Sequence, residues 1–241
     1  MPIRLDSADT DFEQRFVQLL EGKRESSQDV NDAVSAIIAD VRARGDAAVV
    51  ELTNRFDQAG VALDTLAISA DEIATAAAGV PDRIRGALQT AHDRIWSHHA
   101  RQKPEDSLYT DHLGVTLGTR WTPVDAVGIY VPGGLASYPS SVLMNAVPAK
   151  VAGVARIAMV VPTPNGQINP AILLAAQIAG VTEIYRIGGA QAVAALAFGT
   201  AAIAKVDKVV GPGNAYVATA KRQVFGQVGI DMIAGPSEVL I

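Results

Sequence analysis

Residues Val124–Gly166 read VDAVGIYVPGGLASYPSSVLMNAVPAKVAGVARIAMVVPTPNG, and this stretch decides the fold. Ala126–Val131 is a short apolar run closed by Pro132-Gly133-Gly134, a turn signal. Ser140–Ala152 then has the length and composition of a helix. Ala155–Val161 is a second apolar run, closed by Pro162-Thr163-Pro164-Asn165. Strand, turn, helix and strand make one βαβ unit. The alternation continues toward the C-terminus. Strands are expected at Glu183–Ile187 and Lys208–Val210, and helices at Pro170–Ala179, Gln191–Phe198 and Ala215–Phe225. Strands and helices in strict alternation imply an α/β fold with an open parallel sheet.

Toward the N-terminus the texture is different. Residues 10–22 pattern as a short helix. Asp29–Phe56 has helical period, with Ala33, Ile37, Ile38, Val41, Ala48, Val49 and Leu52 on one face and a break expected at Gly45-Asp46. Ser69-Ala70-Asp71-Glu72 reads as a capping box before another helix. A further helix restarts after Gly79-Val80-Pro81-Asp82 and runs to about Arg101. Ser107–Tyr109 and Gly114–Arg120 alternate around Asp111–Leu113 as a β-hairpin. The boundary near residue 125 is a shift of composition, with no low-complexity linker.

Composition excludes several classes. The chain has 241 residues, 49% hydrophobic and 19% charged, which is too apolar for a disordered chain. Twenty-five acidic against twenty basic residues give a net charge of −5 with no basic patch, so a nucleic-acid partner is not expected. Cysteine is absent, which removes disulfides, thiolate metal sites and a cysteine nucleophile from these residues. The uncharged stretches Ile157–Thr182 and Ile187–Ala204 are broken by Pro, Asn, Gln and Gly. Neither is the continuous apolar run of about 20 residues that a membrane span needs. The sequence stops inside an apolar run, Glu238-Val239-Leu240-Ile241, and is expected to be part of a longer protein.

In an open parallel sheet, ligands bind outside the carboxyl ends of the strands. Each expected strand is followed by Gly, Pro and uncharged polar residues: Pro132-Gly133-Gly134, Pro162-Thr163-Pro164-Asn165, Gly188-Gly189-Ala190-Gln191 and Gly211-Pro212-Gly213-Asn214. Glycine lets a ligand approach the backbone, and helix N-termini offer free N–H groups to an anion. Any one such loop is equally well a tight βα turn; four on one edge favour a nucleotide. The usual G-x-G-x-x-G spacing is not met, and there is no P-loop. A sugar-phosphate site lacks a basic residue in these loops.

Other chemistry is less supported. His92 and His99 lie on one expected helix without a third ligand nearby, so packing or surface roles are favoured over metal binding. His112 falls in the hairpin turn. Asp231, Ser237 and Glu238 surround the Gly235-Pro236 turn, but Ser237 lacks the G-x-S-x-G elbow of a hydrolase.

Four stretches, GIYVPGGLASYPSSVLMNAVPAKVAGV, IYRIGGAQAVAALAFGT, KVVGPGNAYVATAKRQVFG and GIDMIAGPSEVLI, together with IWSHHARQ nearer the N-terminus, resemble the histidinol dehydrogenase family. The resemblance covers the whole chain but little over the N-terminal half of the family's usual length. It implies a cytoplasmic, homodimeric enzyme that oxidises L-histidinol through the aldehyde to L-histidine, with NAD and zinc. By position in the motifs, Tyr130, Gln191 and Asn214 correspond to NAD-binding residues and Ser237 to a substrate contact. The family's zinc ligands and its Glu-His acid/base pair are expected beyond Ile241, so neither a catalytic residue nor a metal ligand is assigned within these residues. The resemblance also implies an organisation. Residues 1–25 would be an N-terminal helical arm, and 26–125 the helical and hairpin part of a first, here incomplete, α/β domain. Residues 126–236 would be a second α/β domain carrying the nucleotide rim, and 237–241 the return into the first. The alternative is a non-catalytic nucleotide-binding fragment. Chemistry agrees with the division: alcohol oxidation needs a base and a hydride acceptor, and without cysteine the aldehyde step falls to an activated water.

Overall fold

The computed structural model describes residues 4–133 and 138–233, with side chains left aside for 20–28. Its centre is a five-stranded, wholly parallel sheet. The strands are β3 (Ala126–Tyr130), β4 (Arg156–Val160), β5 (Glu183–Tyr185), β6 (Lys208–Val210) and β7 (Gly229–Ile230), in the order β5-β4-β3-β6-β7. The chain therefore builds outward from β3 to one edge, returns, and builds to the other. The strand order reverses between β3 and β6, which places a switch-point crevice beyond their carboxyl ends.

Helices α5 (Pro139–Ala152) and α6 (Pro170–Ile178) cover one face, and α7 (Gly189–Phe198) and α8 (Ala215–Val224) the other. Alternation along β3 shows why. Val127, Ile129 and Val131 pack toward α5 and α6, while Ala126 and Tyr130 pack toward α7 and α8. Fully buried Leu143, Leu173 and Leu174 fill the first layer, and Leu196 and Ile203 the second. Each such side chain contributes about 1.5–3 kcal/mol by leaving water.

The N-terminal helices extend both layers. Helix α1 (Phe12–Arg44) and α2 (Asp46–Asp57) pack on α7 and α8; α3 (Ala70–Ala78) and α4 (Asp82–Ala100) pack on α5 and α6. The break at Gly45 is where the sequence places it, with φ at +57°. Helix α1 instead runs unbroken through the polar stretch expected to separate two helices: no Pro interrupts it, and the weak helix former Gly22 does not end it. Half of the expected capping box forms: Ser69 Oγ accepts from the Glu72 amide at 3.2 Å, but the Glu72 carboxylate pairs with Arg186. The hairpin, β1 (Ser107–Thr110) with β2 (Thr116–Thr119), is present, and every residue of both strands is exposed.

The amino edge of the sheet is pinned by charge. Arg156 Nε donates to Glu183 Oε2 at 2.8 Å and its Nη atoms to the Lys205 and Ala204 carbonyls; Asp207 accepts from the Ala126 amide at 2.8 Å. The carboxyl edge has loops of Gly and Pro instead.

Candidate functional site at the carboxyl edge

The four loops meet by close backbone approach. Pro162, after β4, is wedged between Gly133 and Gly188; a Cβ on either glycine would lie 2.5 Å or less from a Pro162 atom. Gly211, after β6, has φ at +111°, and a Cβ there would lie 2.1 Å from the Tyr130 carbonyl oxygen. The glycines are thus what allows neighbouring loops to share one rim.

The structure gathers Tyr130, Gln191 and Asn214 around a single cleft of about 930 Å³, also lined by Gly133, Pro162 and Gly189. Tyr130 ends β3. Its buried hydroxyl accepts a hydrogen bond from the Gly189 amide at 3.1 Å, tying the first loop to the third. Burial pushes the phenol up to about 12; the Gly189 bond opposes this and the charge of Asp57 adds to it. The hydroxyl therefore stays protonated at neutral pH and keeps its own hydrogen to donate.

Gln191, in the first turn of α7, is 1% exposed, and its Oε1 has no hydrogen-bond partner. Thr163 Oγ1, buried in the loop after β4, has none either. A buried acceptor left unpaired costs about 1–3 kcal/mol, so Gln191 at the cleft wall fits a ligand carrying donors. Asn214 is the N-cap of α8: its Oδ1 accepts from the Val217 amide at 3.1 Å. That occupies the oxygen and leaves the amide nitrogen for a ligand.

The opposite wall was not legible in the sequence. It consists of α1 and α2, through Ala33, Ile37, Asp40, Arg55, Phe56 and Asp57. The hydrogen bonds from Arg44 hold the Asp40 carboxyl below its ordinary range. Asp57 differs: burial raises its carboxyl, and its Oδ2 has no partner. The one available signal was position, because a carboxylate at a helix C-terminus opposes the helix dipole.

An ion pair between a buried lysine and a partly exposed aspartate fixes the loop after β6. Lys221, 4% exposed, donates to the Gly211 carbonyl at 3.0 Å and pairs with Asp231; Asp231 Oδ2 accepts from the Gly211 amide at 2.9 Å. Burial alone would raise the Asp231 carboxyl. The hydrogen bonds from Lys221 and from the Gly211 and Met232 amides outweigh it and hold the carboxyl low. Both polar groups of Gly211 are thereby gripped, a role for Asp231 that its turn-like sequence context did not disclose.

Ser237 lies outside the described residues. Among the described residues no three His, Asp or Glu side chains group as a metal site. His92 pairs with its neighbour Asp93 on the exposed side of α4. A second cavity of about 630 Å³ lies near the end of α4, lined by His99, Lys103, Trp121 and Pro148. None of the unpartnered buried side-chain atoms belongs to its lining, so the carboxyl-edge cleft is the candidate site. No helix among the described residues is long and apolar enough to cross a membrane.

The family pattern described as histidinol dehydrogenase matches residues 20–241. Histidinol dehydrogenases of Rhodospirillum rubrum and Ruegeria pomeroyi are each 64% identical over all 241 residues, which cover 56% of each relative. The crystal structure of histidinol dehydrogenase from Elizabethkingia anophelis superposes with a TM-score of 0.82 at 40% identity, covering 86% of this chain and 48% of that one. The chain thus spans about half the length of the curated relatives it matches.

Proposed function

The chain belongs to the histidinol dehydrogenase family, and from that premise we propose that its carboxyl-edge cleft binds NAD in a protein that oxidises L-histidinol through histidinal to L-histidine. The observation that carries this reading is the convergence of Tyr130, Gln191 and Asn214 on one cleft, with an unpaired acceptor on Gln191. Bound there, NAD supplies the hydride acceptor for both oxidations. Tyr130 offers a hydroxyl hydrogen, Gln191 an oxygen and Asn214 an amide N–H, so the rim presents both donors and acceptors to the nucleotide. The first turns of α7 and α8 direct backbone N–H groups toward its phosphates. Ser237 is proposed to contact substrate.

Zinc belongs to the same reading, with its ligands and the acid/base pair expected beyond Ile241. The hairpin, exposed in this chain, is assigned with the rest of 26–125 to a first α/β domain. A cytoplasmic homodimer is the proposed state of the full-length protein.

The full-length protein is expected to reduce NAD when given L-histidinol and to lose that activity on zinc chelation. A preparation that ignores histidinol but oxidises another alcohol refutes the substrate. One that binds NAD without oxidising histidinol favours the non-catalytic alternative.

Asn214 allows the binding role to be separated from the capping role. Asn214→Ser keeps an N-cap oxygen and removes the amide, so thermal stability should hold while NAD binding weakens about tenfold. Asn214→Ala should lose about 1 kcal/mol of stability as well. Calorimetric titration with NAD and with histidinol checks both variants; equal weakening for the two ligands counts against the assignment.

A further inference from the structure

We propose that Asp57 accepts hydrogen bonds from the hydroxyls of the adenosine ribose and thereby selects NAD over its 2′-phosphorylated form. The inference rests on the NAD reading above and adds a residue to it.

Dinucleotide sites on open parallel sheets commonly carry an acid near the end of the second strand, where it meets that ribose. Here the second strand in chain order is β4, beside β3, and its loop reads Val161-Pro162-Thr163-Pro164-Asn165, with no acid. A carboxylate reaches the same cleft from another element. Asp57 ends α2 and lines the cleft with Tyr130, Pro162 and Pro164. The turn after α2 is held against the β4 loop: a Cβ on Gly166 would lie 3.2 Å from the Ala59 carbonyl. Asn54 fixes that turn from inside α2, exchanging two 2.8 Å hydrogen bonds with the backbone of Val61. The position of Asp57 is therefore set by packing.

Its chemistry is unspent. Asp57 Oδ2 is buried without a partner, and the helix terminus beside it is the negative end. Such a group favours donors that carry no negative charge. A ribose diol supplies two; a 2′-phosphate removes one and adds repulsion.

Arg55, on the same wall, sharpens the test, because without the Asp57 charge it is left to attract phosphate. In the full-length protein, Asp57→Asn should weaken NAD binding about tenfold or more while binding of NADP is unchanged or tighter. Asp57→Ser should do the same, and thermal melting establishes that each variant is folded. Equal weakening for both dinucleotides, or no change for either, overturns the role of Asp57 and leaves the NAD reading standing. A wild-type protein that binds no NAD overturns both.

Discussion

Gly211→Ala is expected to destabilise the protein by about 3 kcal/mol or more and to abolish nucleotide binding. Two independent penalties meet at this position. The backbone has φ at +111°, which an L side chain rarely adopts, and the added carbon would fall 2.1 Å from the Tyr130 carbonyl oxygen. Neither group can give way easily: Tyr130 ends the central strand, and Gly211 is gripped through its amide and its carbonyl. Relief would have to separate β3 from β6, the strands that flank the cleft. Gly86→Ala provides the control, because that glycine lies inside α4 with open space where a Cβ would go. There the same substitution should stabilise by about 0.5–1 kcal/mol. Urea denaturation and NAD titration of both variants check the contrast. A Gly211→Ala protein with wild-type midpoint and affinity would show that the two loops do not abut as described.

The contrast also indicates which parts of the fold were readable beforehand. β3, β4, β5 and β6, their helices and the Gly/Pro rim were legible because each is a local signal: an apolar run, a turn residue, a periodic face. β7 was missed because its two residues form a strand only by pairing with β6. The hairpin was legible for the same reason as the rim, from alternation and a turn, although its alternation meets no packing partner among the described residues.

The cleft divides along the same line. Tyr130, Gln191 and Asn214 sit in motifs next to strand ends, so their grouping could be anticipated. Asp57, Arg55 and Phe56 come from a helix far away in sequence, and nothing local says that α2 packs beside α7. The Lys221–Asp231 pair was hidden in another way. A lysine in an amphipathic helix and an aspartate near a turn both read as solvated, and only their shared contact with Gly211 makes them a unit.

That unit carries the other large expected effect. Lys221→Met should cost about 1–3 kcal/mol, because it removes the buried cation that donates to the Gly211 carbonyl and leaves the partly exposed Asp231 carboxylate with two amides and no cation. Its pH dependence follows from Asp231. In the wild type the folded carboxyl lies below its unfolded value near 4, so its contribution is present above that pH and is lost as pH falls through the folded value. Without Lys221 the strongest influence that lowers the carboxyl is gone, so its folded value rises toward the unfolded one and that contribution shrinks. The deficit of the variant relative to wild type should be largest at neutral pH and shrink toward pH 3. Denaturation midpoints across that range measure it; a deficit independent of pH would mean that lost packing of the lysine stem, and not the charge pair, holds the loop. Because Asp231 grips Gly211 and also begins the chain leading to Ser237, a loosened pair should weaken NAD binding and disturb histidinol binding together. That pattern would set Lys221→Met apart from Asn214→Ser, which is expected to weaken nucleotide binding alone.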